Sequence, residues 1–185
     1  EKVSNGQLRI PTFQRGFVWE PEMVAYLMDS IYKEYPFGTL LFWRTKEPLK
    51  TEKKLGPFDL IQKEAGLPLD YVLDGQQRIT SIFGVFQTEL TPIEDASVFN
   101  IYFDFSVNQD AQETQFFVLE DSQVDETKHF PLKCLFDPVK YREKTGKLDG
   151  KVISIIDELQ TKFKETRIPI QILETEDKAK VAIVF

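Results

Sequence analysis

Tyr71-Val72-Leu73-Asp74-Gly75-Gln76-Gln77-Arg78 organises this chain, because it joins an apolar run to a polar turn and then to a second apolar run, Ile79 to Phe86. The first run predicts a strand over Leu69 to Leu73, and the second predicts a helix over Gln76 to Thr88. An Asp-Gly pair between them favours a tight turn. The sequence therefore predicts a strand, a turn and a helix whose N-terminus carries the polar residues.

The predicted helix N-terminus is a favourable place for a phosphate group. Its first N–H groups have no partner within the helix, and the helix dipole is positive there. Gln76 and Gln77 offer amide donors, and Arg78 offers a planar guanidinium for phosphate oxygens. Asp74 offers a carboxylate that suits a magnesium ion or an attacking water. With Gly75 to let the chain turn, these residues predict most of a nucleotide site.

A second Gln-Arg pair, Gln14-Arg15, follows a short predicted strand at Gln7 to Ile10. If the two strand ends lie side by side, Arg15 and Arg78 would converge on one anion, since desolvated arginines tolerate each other around such a charge. The alternative is structural. In that case Arg15 would stack on a neighbouring ring such as Trp19 and pair with an acid of the next helix.

The rest of the sequence mixes helix and strand patterns without a regular βαβ rhythm. Three further helices are predicted. The first begins at Pro21, the second covers Lys151 to Phe163, and the third begins at Lys178 after an N-cap at Thr175. The predicted strands are Thr39 to Trp43, central in a sheet; Phe58 to Ile61, within a mobile loop from Lys46 to Leu69; Ser97 to Phe105, paired with Gln115 to Leu119 through a loop at Asn108 to Asp110; and Ile168 to Leu173. This mixture predicts a compact α+β fold, a mixed sheet with helices.

Composition predicts one domain over residues 1 to 185. The chain is 42% hydrophobic and has 16 Phe, enough for a bulky aromatic core. The single Cys134, between leucines, predicts a buried core thiol, and one cysteine indicates a reducing compartment. No window approaches a membrane span and no secretory signal is visible, so we expect a cytoplasmic protein. The apolar run that ends at Phe185 predicts a fragment whose C-terminal region is absent.

The charge distribution disfavours a nonspecific nucleic-acid coat. The net charge is −7, and residues 81–185 carry all of the acidic excess, because residues 1–80 are balanced. No basic residue lies between Arg78 and Lys128. That acidic stretch is either a solvated surface or a face that docks a partner or mimics DNA. The role of the lysines from Lys46 to Lys63 is also undecided at this point: they form either a DNA contact or an ordinary solvated surface.

These motifs together resemble the N-terminal domain of the GmrSD-type family of bacterial restriction and phage-defence proteins, which has a ParB/sulfiredoxin-like fold. Members of the family carry Ile-Pro-x-aromatic-Gln-Arg-x-x-x-Trp, here Ile10 to Trp19. They also carry a Tyr-Pro-x-Gly turn, here Tyr35 to Gly38, and Asp-Gly-Gln-Gln-Arg, here Asp74 to Arg78. The resemblance covers residues 8 to about 90 well and the acidic second half loosely.

The resemblance implies a nucleoside triphosphate site and magnesium-assisted hydrolysis that regulates attack on modified foreign DNA by an HNH-type nuclease domain or partner. In that reading Asp74 positions the metal or the attacking water and Gly75 and Gln76 cradle phosphate. The other polar residues of the two motifs, Gln14, Arg15, Gln77 and Arg78, bind or neutralise the phosphates. The only histidine, His129, lacks the partners of an HNH centre and is predicted to be a surface loop residue.

Three other readings remain open. The domain could be a noncatalytic reader of modified DNA, in which Gln14, Arg15 and Trp19 contact a base or altered phosphate. It could be a DNA nicking nuclease of the same fold. It could also be a structural or protein-binding module in which Asp74-Gly75 is an ordinary turn and Arg78 an ion-pair partner.

Overall fold

The computed structural model describes residues 3, 6–60, 66–107 and 113–184, apart from the side chains of 183 and 184. The helices within this part are α1 (Pro21–Tyr32), α2 (Gln76–Phe86), α3 (Pro138–Thr145), α4 (Gly150–Glu165) and α5 (Lys178–Val184). The strands are β1 (Leu8–Arg9), β2 (Leu40–Thr45), β3 (Lys54–Leu55), β4 (Phe58–Asp59), β5 (Leu69–Asp74), β6 (Ile101–Asp104), β7 (Phe116–Val118), β8 (His129–Pro131) and β9 (Ile170–Glu174). The predicted α+β class is confirmed.

The main sheet has the strand order β1-β5-β2-β9. β5 is parallel to β1 and antiparallel to β2, and β2 is parallel to β9. The predicted central position of Thr39 to Trp43 is confirmed, because β2 has a strand on each side. Leu41 pairs with Asp74. The polar end of β5 therefore lies beside the start of β2.

Both faces of the two central strands are covered, which explains their continuous apolar sequences. On one face Val72 packs with Phe42 in a cluster that also includes Ile79 of α2. On the other face Tyr71 packs with Trp43 and with α5. Because successive side chains of a strand point to opposite faces, a strand between two cores needs apolar residues at every position.

The second sheet places β6 between β7 and β8, with both pairs antiparallel. The predicted pairing of residues 97–105 with 115–119 is confirmed, since Ile101 is opposite Val118. The strand is shorter than predicted, because Ser97–Phe99 forms a 3-10 turn. The hairpin loop predicted at Asn108 to Asp110 lies outside the described residues.

The prediction that His129 is a surface loop residue is wrong. His129 belongs to β8 opposite Asp104, and its side chain is 14% exposed. Its Nδ1 accepts a hydrogen bond of 3.0 Å from the N–H of Asp125. A three-residue strand has too little alternation to be recognised, and its partner β6 supplies the conformation.

The largest core lies between α1, α4 and the second sheet, and it is as aromatic as the composition predicts. Phe103, Phe116 and Phe130 are each at most 1% exposed in this cluster. Full burial of such a side chain contributes about 1.5–3 kcal/mol. Cys134 lies in the same cluster, as predicted, and burial raises the pKa of its thiol.

The segment from Lys46 to Leu69, predicted as a mobile loop, contains an anchored hairpin. β3 pairs with β4, and Leu55 and Phe58 are each 1% exposed. The predicted strand over Phe58 to Ile61 is confirmed for Phe58–Asp59, while residues 61–65 lie outside the described residues. β3 was not predicted, because the single apolar side chain of Leu55 among lysines gave no visible strand pattern.

The N-cap of α5 is Asp177 and not the predicted Thr175. The Asp177 carboxylate accepts the N–H of Ala179 at 2.9 Å, and Thr175 Oγ1 accepts the N–H of Asp177 at 3.1 Å. The short helix α3 was missed, although Asp137 caps it and Pro138 opens it. In the part of the chain that the structure describes, no helix has the length and hydropathy needed to cross a bilayer.

Candidate phosphate-binding site

Gly75 makes the turn from β5 into α2. Its φ is +94°, a left-handed conformation that glycine adopts freely, and a Cβ there would lie 2.3 Å from Leu40 Cδ2. α2 begins at the next residue, and no side chain caps its N-terminus. The N–H groups of the first turn therefore point outward without a helical partner, at the positive end of the helix dipole.

Asp74 and Arg78 form an ion pair beside this turn, with Arg78 Nη2 2.9 Å from Asp74 Oδ2. Arg78 Nη1 donates to the Phe37 carbonyl at 2.9 Å, and the guanidinium packs so closely on Gly38 that a Cβ there would lie 2.3 Å from Nη1. The Arg78 side chain is 15% exposed, whereas that of Asp74 is 69% exposed. Arg78 thus holds the α1–β2 turn in place, while Asp74 faces solvent.

Gln77 holds the segment that carries the second motif. Its Nε2 donates to the Gly16 carbonyl at 2.9 Å, and its Oε1 accepts the N–H of Val18 at 2.9 Å. Both ends of the amide are therefore used within the protein. This reciprocal pair fixes residues 16 to 18 against the first turn of α2.

Gln14 and Arg15 lie at the end of β5. Gln14 Nε2 donates to the Leu73 carbonyl at 2.8 Å. Arg15 is exposed and has no hydrogen bond, ion pair or ring contact within the described ranges. The predicted alternative, a stacked and paired Arg15, is therefore not found there. Trp19 instead packs against the largest core.

A cavity of about 440 Å³ opens beside the first turn of α2. The predicted site residues Gln14, Arg15 and Gln76 line it together, and Asp74, Arg78 and Trp19 do not. Gln76 is only 9% exposed, and its Oε1 is buried with no hydrogen-bond partner. The cavity therefore brings together a free cation, an unpaired amide oxygen and an uncapped helix end.

Sequence reasoning missed the opposite wall of this cavity. The β3–β4 turn contributes Gly56, and the loop after α2 contributes Glu94. Lys54 Nζ lies 2.8 Å from Glu94 Oε1 across the cavity wall, and this hydrogen bond raises the pKa of Lys54. The signal was weak, because lysines in a loop and acids in an acidic run are both ordinary surface features.

Two further carboxylates line the same wall. Glu52 has no ion pair in the described part of the chain. Asp95 accepts the N–H and the hydroxyl of Ser97, each at 2.9 Å, and these bonds lower the pKa of Asp95. The cavity is therefore lined by the cations Arg15 and Lys54 and by the carboxylates Glu52, Glu94 and Asp95.

The described residues offer only isolated carboxylates as ligands for a metal ion. No group of three or more His, Cys, Asp or Glu side chains gathers within the described ranges. Asp74 is one such carboxylate: it is 69% exposed, and its Oδ2 is paired with Arg78.

The whole chain, residues 1 to 185, matches the sequence profile described as the GmrSD restriction endonuclease, N-terminal domain. The chain belongs to this family. The family is one of restriction and phage-defence proteins, and the resemblance based on residues 8 to about 90 is confirmed and extends over the acidic second half.

A curated relative is an uncharacterized protein of Methanocaldococcus jannaschii, 25% identical over 168 residues. The match covers 76% of this chain and 28% of the relative. The chain therefore spans about a quarter of the length of this relative.

Proposed function

We propose that this GmrSD-type domain binds and hydrolyses a nucleoside triphosphate with magnesium, and so regulates a DNA restriction or phage-defence protein. The observation that carries the proposal is Gln76, buried and unpaired at the uncapped N-terminus of α2, in a cavity that it shares with Arg15. Unsatisfied buried polar atoms are uncommon and indicate a missing partner. The phosphate groups of a ligand there would accept from the first N–H groups of α2 and neutralise Arg15, whereas the acceptor Gln76 Oε1 would need a hydroxyl or N–H donor.

Each residue has a distinct role in this proposal. The first N–H groups of α2 bind phosphate oxygens, and Gly75 allows the backbone to approach them. Arg15 neutralises the charge that develops on the phosphoryl group. Asp74 holds the magnesium ion or orients the attacking water.

Gln77 and Arg78 support the proposed site indirectly, because each holds another part of the site in position. Gln77 keeps residues 16 to 18, and with them Arg15, against the helix. Arg78 fixes Asp74 and the α1–β2 turn.

The partners follow from the family. A restriction role implies cytoplasmic DNA, modified or unmodified, as the target and an HNH-type nuclease domain or partner as the effector. The described residues present an acidic second half, so DNA contact is expected from the first half, where Arg15 is exposed.

The test is phosphate release from each of the four ribonucleoside triphosphates with magnesium, for the chain, Asp74→Ala and Arg15→Ala. We expect Asp74→Ala to abolish turnover and to spare binding, and Arg15→Ala to weaken both. The matched control is Asp149→Asn, a helix cap far along the chain, which should leave turnover unchanged. Equal turnover in all four proteins would refute the assignment of the site.

A noncatalytic reader of modified DNA is the second candidate, because Arg15 is exposed and unpaired in the described part of the chain. It predicts DNA affinity that falls with salt and with Arg15→Ala but not with Asp74→Ala. A filter-binding titration of modified and unmodified duplexes at two salt concentrations separates it from the hydrolase.

A further inference from the structure

β9 is an edge strand of the main sheet, and its outer side has no neighbouring strand among the described residues. It pairs with β2 on its inner side, where the Pro169 carbonyl and the Thr175 N–H both bond backbone groups of β2. Backbone groups of a strand alternate in direction from one residue to the next. The residues whose N–H and C=O groups point away from the sheet are therefore Ile170, Ile172 and Glu174.

The side chains of β9 are uncovered as well. Ile170 is 48% exposed and Ile172 is 40% exposed, although they lie beside the buried residues Leu40 and Phe42 of β2. The layer that covers β2 on this face therefore ends before β9. Edge strands of soluble proteins are usually protected by charged residues, by proline or by a short length. The only charge within β9 is that of its last residue, Glu174, so this edge lacks such protection.

The sequence of β9 is complementary to itself when two copies run antiparallel. A two-fold axis beside Gln171 places Ile170 of each copy opposite Ile172 of the other. The outward backbone groups of these isoleucines then form hydrogen-bonded pairs, and Gln171 lies opposite Gln171 in a pair without hydrogen bonds. The isoleucines of both copies share one face of the sheet, so each is partly covered by its opposite neighbour.

The charges at the two ends of β9 match the same arrangement. Arg167, just before the strand, is exposed and has no ion pair in the described part of the chain. Glu174 and Asp177 lie at the other end. An antiparallel pair brings Arg167 of each copy to the acidic end of the other copy. A second copy thus supplies matching charges in the register that also pairs the isoleucines.

We propose that β9 is a self-association surface, on which two copies of this chain pair antiparallel about Gln171 and join their main sheets into one continuous sheet. The pairing satisfies the outward N–H and C=O groups of both strands. Only one strand of each copy takes part, so the interface is small and the dimer forms reversibly as the concentration rises. The proposal does not depend on the nucleotide site.

The first test is sedimentation equilibrium of the unaltered chain over a wide range of concentrations. We expect a reversible equilibrium between monomer and dimer. Ile172→Lys should raise the dissociation constant of the dimer about tenfold or more, because it removes both cross-strand isoleucine pairs and brings two lysines close together. Val139→Lys replaces an exposed apolar residue of α3, and this matched control should leave the constant unchanged.

Cysteine cross-linking tests the register. Gln171→Cys should form a disulfide between two copies under oxidising conditions, because opposed Cβ atoms of a pair without hydrogen bonds lie close together. Glu174→Cys, at another exposed position of the same strand, is the control. Its two copies would lie about 20 Å apart in this register and should not cross-link. The natural Cys134 is buried and should not contribute.

Three results would overturn the proposal. The first is the mass of a single chain at every concentration up to the solubility limit, which would leave this edge for a strand of another protein. The second is a dimer that Ile172→Lys does not weaken, since the copies would then meet elsewhere. The third is equal cross-linking through positions 171 and 174. Because the mass measurement needs only the unaltered chain, the proposal stays testable if a variant does not fold.

Discussion

At the scale of residues, the two charged members of the Asp74-to-Arg78 motif have different roles. Arg78 is 15% exposed and bonds both Phe37 and Asp74, whereas Asp74 is 69% exposed. Ion pairs with an exposed member contribute little to stability. The removal of a buried donor leaves its acceptor unsatisfied and costs more.

We predict that Arg78 contributes more than Asp74 to the stability of the fold. Arg78→Ala should lower the free energy of unfolding by about 1–3 kcal/mol, and Asp74→Ala by less than about 1 kcal/mol. Urea unfolding of both variants, followed by Trp fluorescence, measures this. Equal losses would contradict the structural role given to Arg78.

Gly75 gives a second prediction at this scale. Gly75→Ala should lower the free energy of unfolding by about 2 kcal/mol or more, because a Cβ is strained at φ +94° and meets Leu40 at 2.3 Å. Gly150→Ala is the matched control, since nothing lies within 4 Å of its added Cβ. Its effect should stay within about 0.5 kcal/mol. Similar effects at both glycines would show that the turn at Gly75 is not constrained.

At the scale of elements, the contact between α2 and residues 16 to 18 fixes the position of Arg15. Gln77→Ala removes both hydrogen bonds of this joint, at 2.9 Å each. We expect tryptic cleavage after Arg15 to become several-fold faster, while cleavage after Arg142 in α3 is unchanged. Peptide mapping over time measures both sites in one sample. Unchanged cleavage after Arg15 would mean that Gln77 does not hold the segment.

The hydrogen bonds that Glu176 makes to Thr45 and Lys46 should make the stability of the fold depend on pH. The Thr45 hydroxyl, and next the Lys46 N–H at 3.1 Å, lower the pKa of Glu176. A carboxyl whose folded pKa is lowered stabilises the fold above its unfolded pKa of about 4.5 and loses that contribution as pH falls through the folded value. Glu176→Gln should therefore flatten the loss of stability below about pH 4.5.

Several other carboxyls titrate in the same range, so the comparison must be between Glu176→Gln and the unaltered chain. Glu158→Gln, on the exposed face of α4, is the control. If both variants follow the unaltered chain between pH 5 and pH 3, Glu176 does not link α5 to β2.

The sequence predicted elements well where the local signal and the tertiary context agree. The joint of β5 and α2 was visible because an apolar run, Asp74-Gly75 and a second apolar run follow one another. β8 and β3 were missed, since their conformation comes from pairing rather than from pattern. Thr175 and Asp177 both cap well, and only the structure shows which one begins α5.

The candidate site was predicted in part for a similar reason. The residue types at Gln14, Arg15 and Gln76 indicated anion chemistry, and the structure brings these three together. The sequence could not show that Gln77 and Arg78 use their polar groups within the protein. Nor could it show that Lys54 and Glu94, 40 residues apart, form one wall of the cavity.

At the scale of the whole molecule, the cavity lies where four parts of the described chain meet. These parts are the segment after β1, the β3–β4 hairpin, the first turn of α2 and the loop after α2. The chain covers 28% of the length of its relative from Methanocaldococcus jannaschii. A nucleotide held between four separate segments would couple their positions, which suits a regulatory domain.

The central claim, that a triphosphate binds at the N-terminus of α2, is tested most directly by a crystal structure with magnesium and a non-hydrolysable ribonucleoside triphosphate analogue. We predict phosphate oxygens within hydrogen-bonding distance of the first N–H groups of α2 and of Arg15, with the nucleoside in the cavity beside Gln76. A triphosphate bound elsewhere, or none at saturating ligand, would contradict the account.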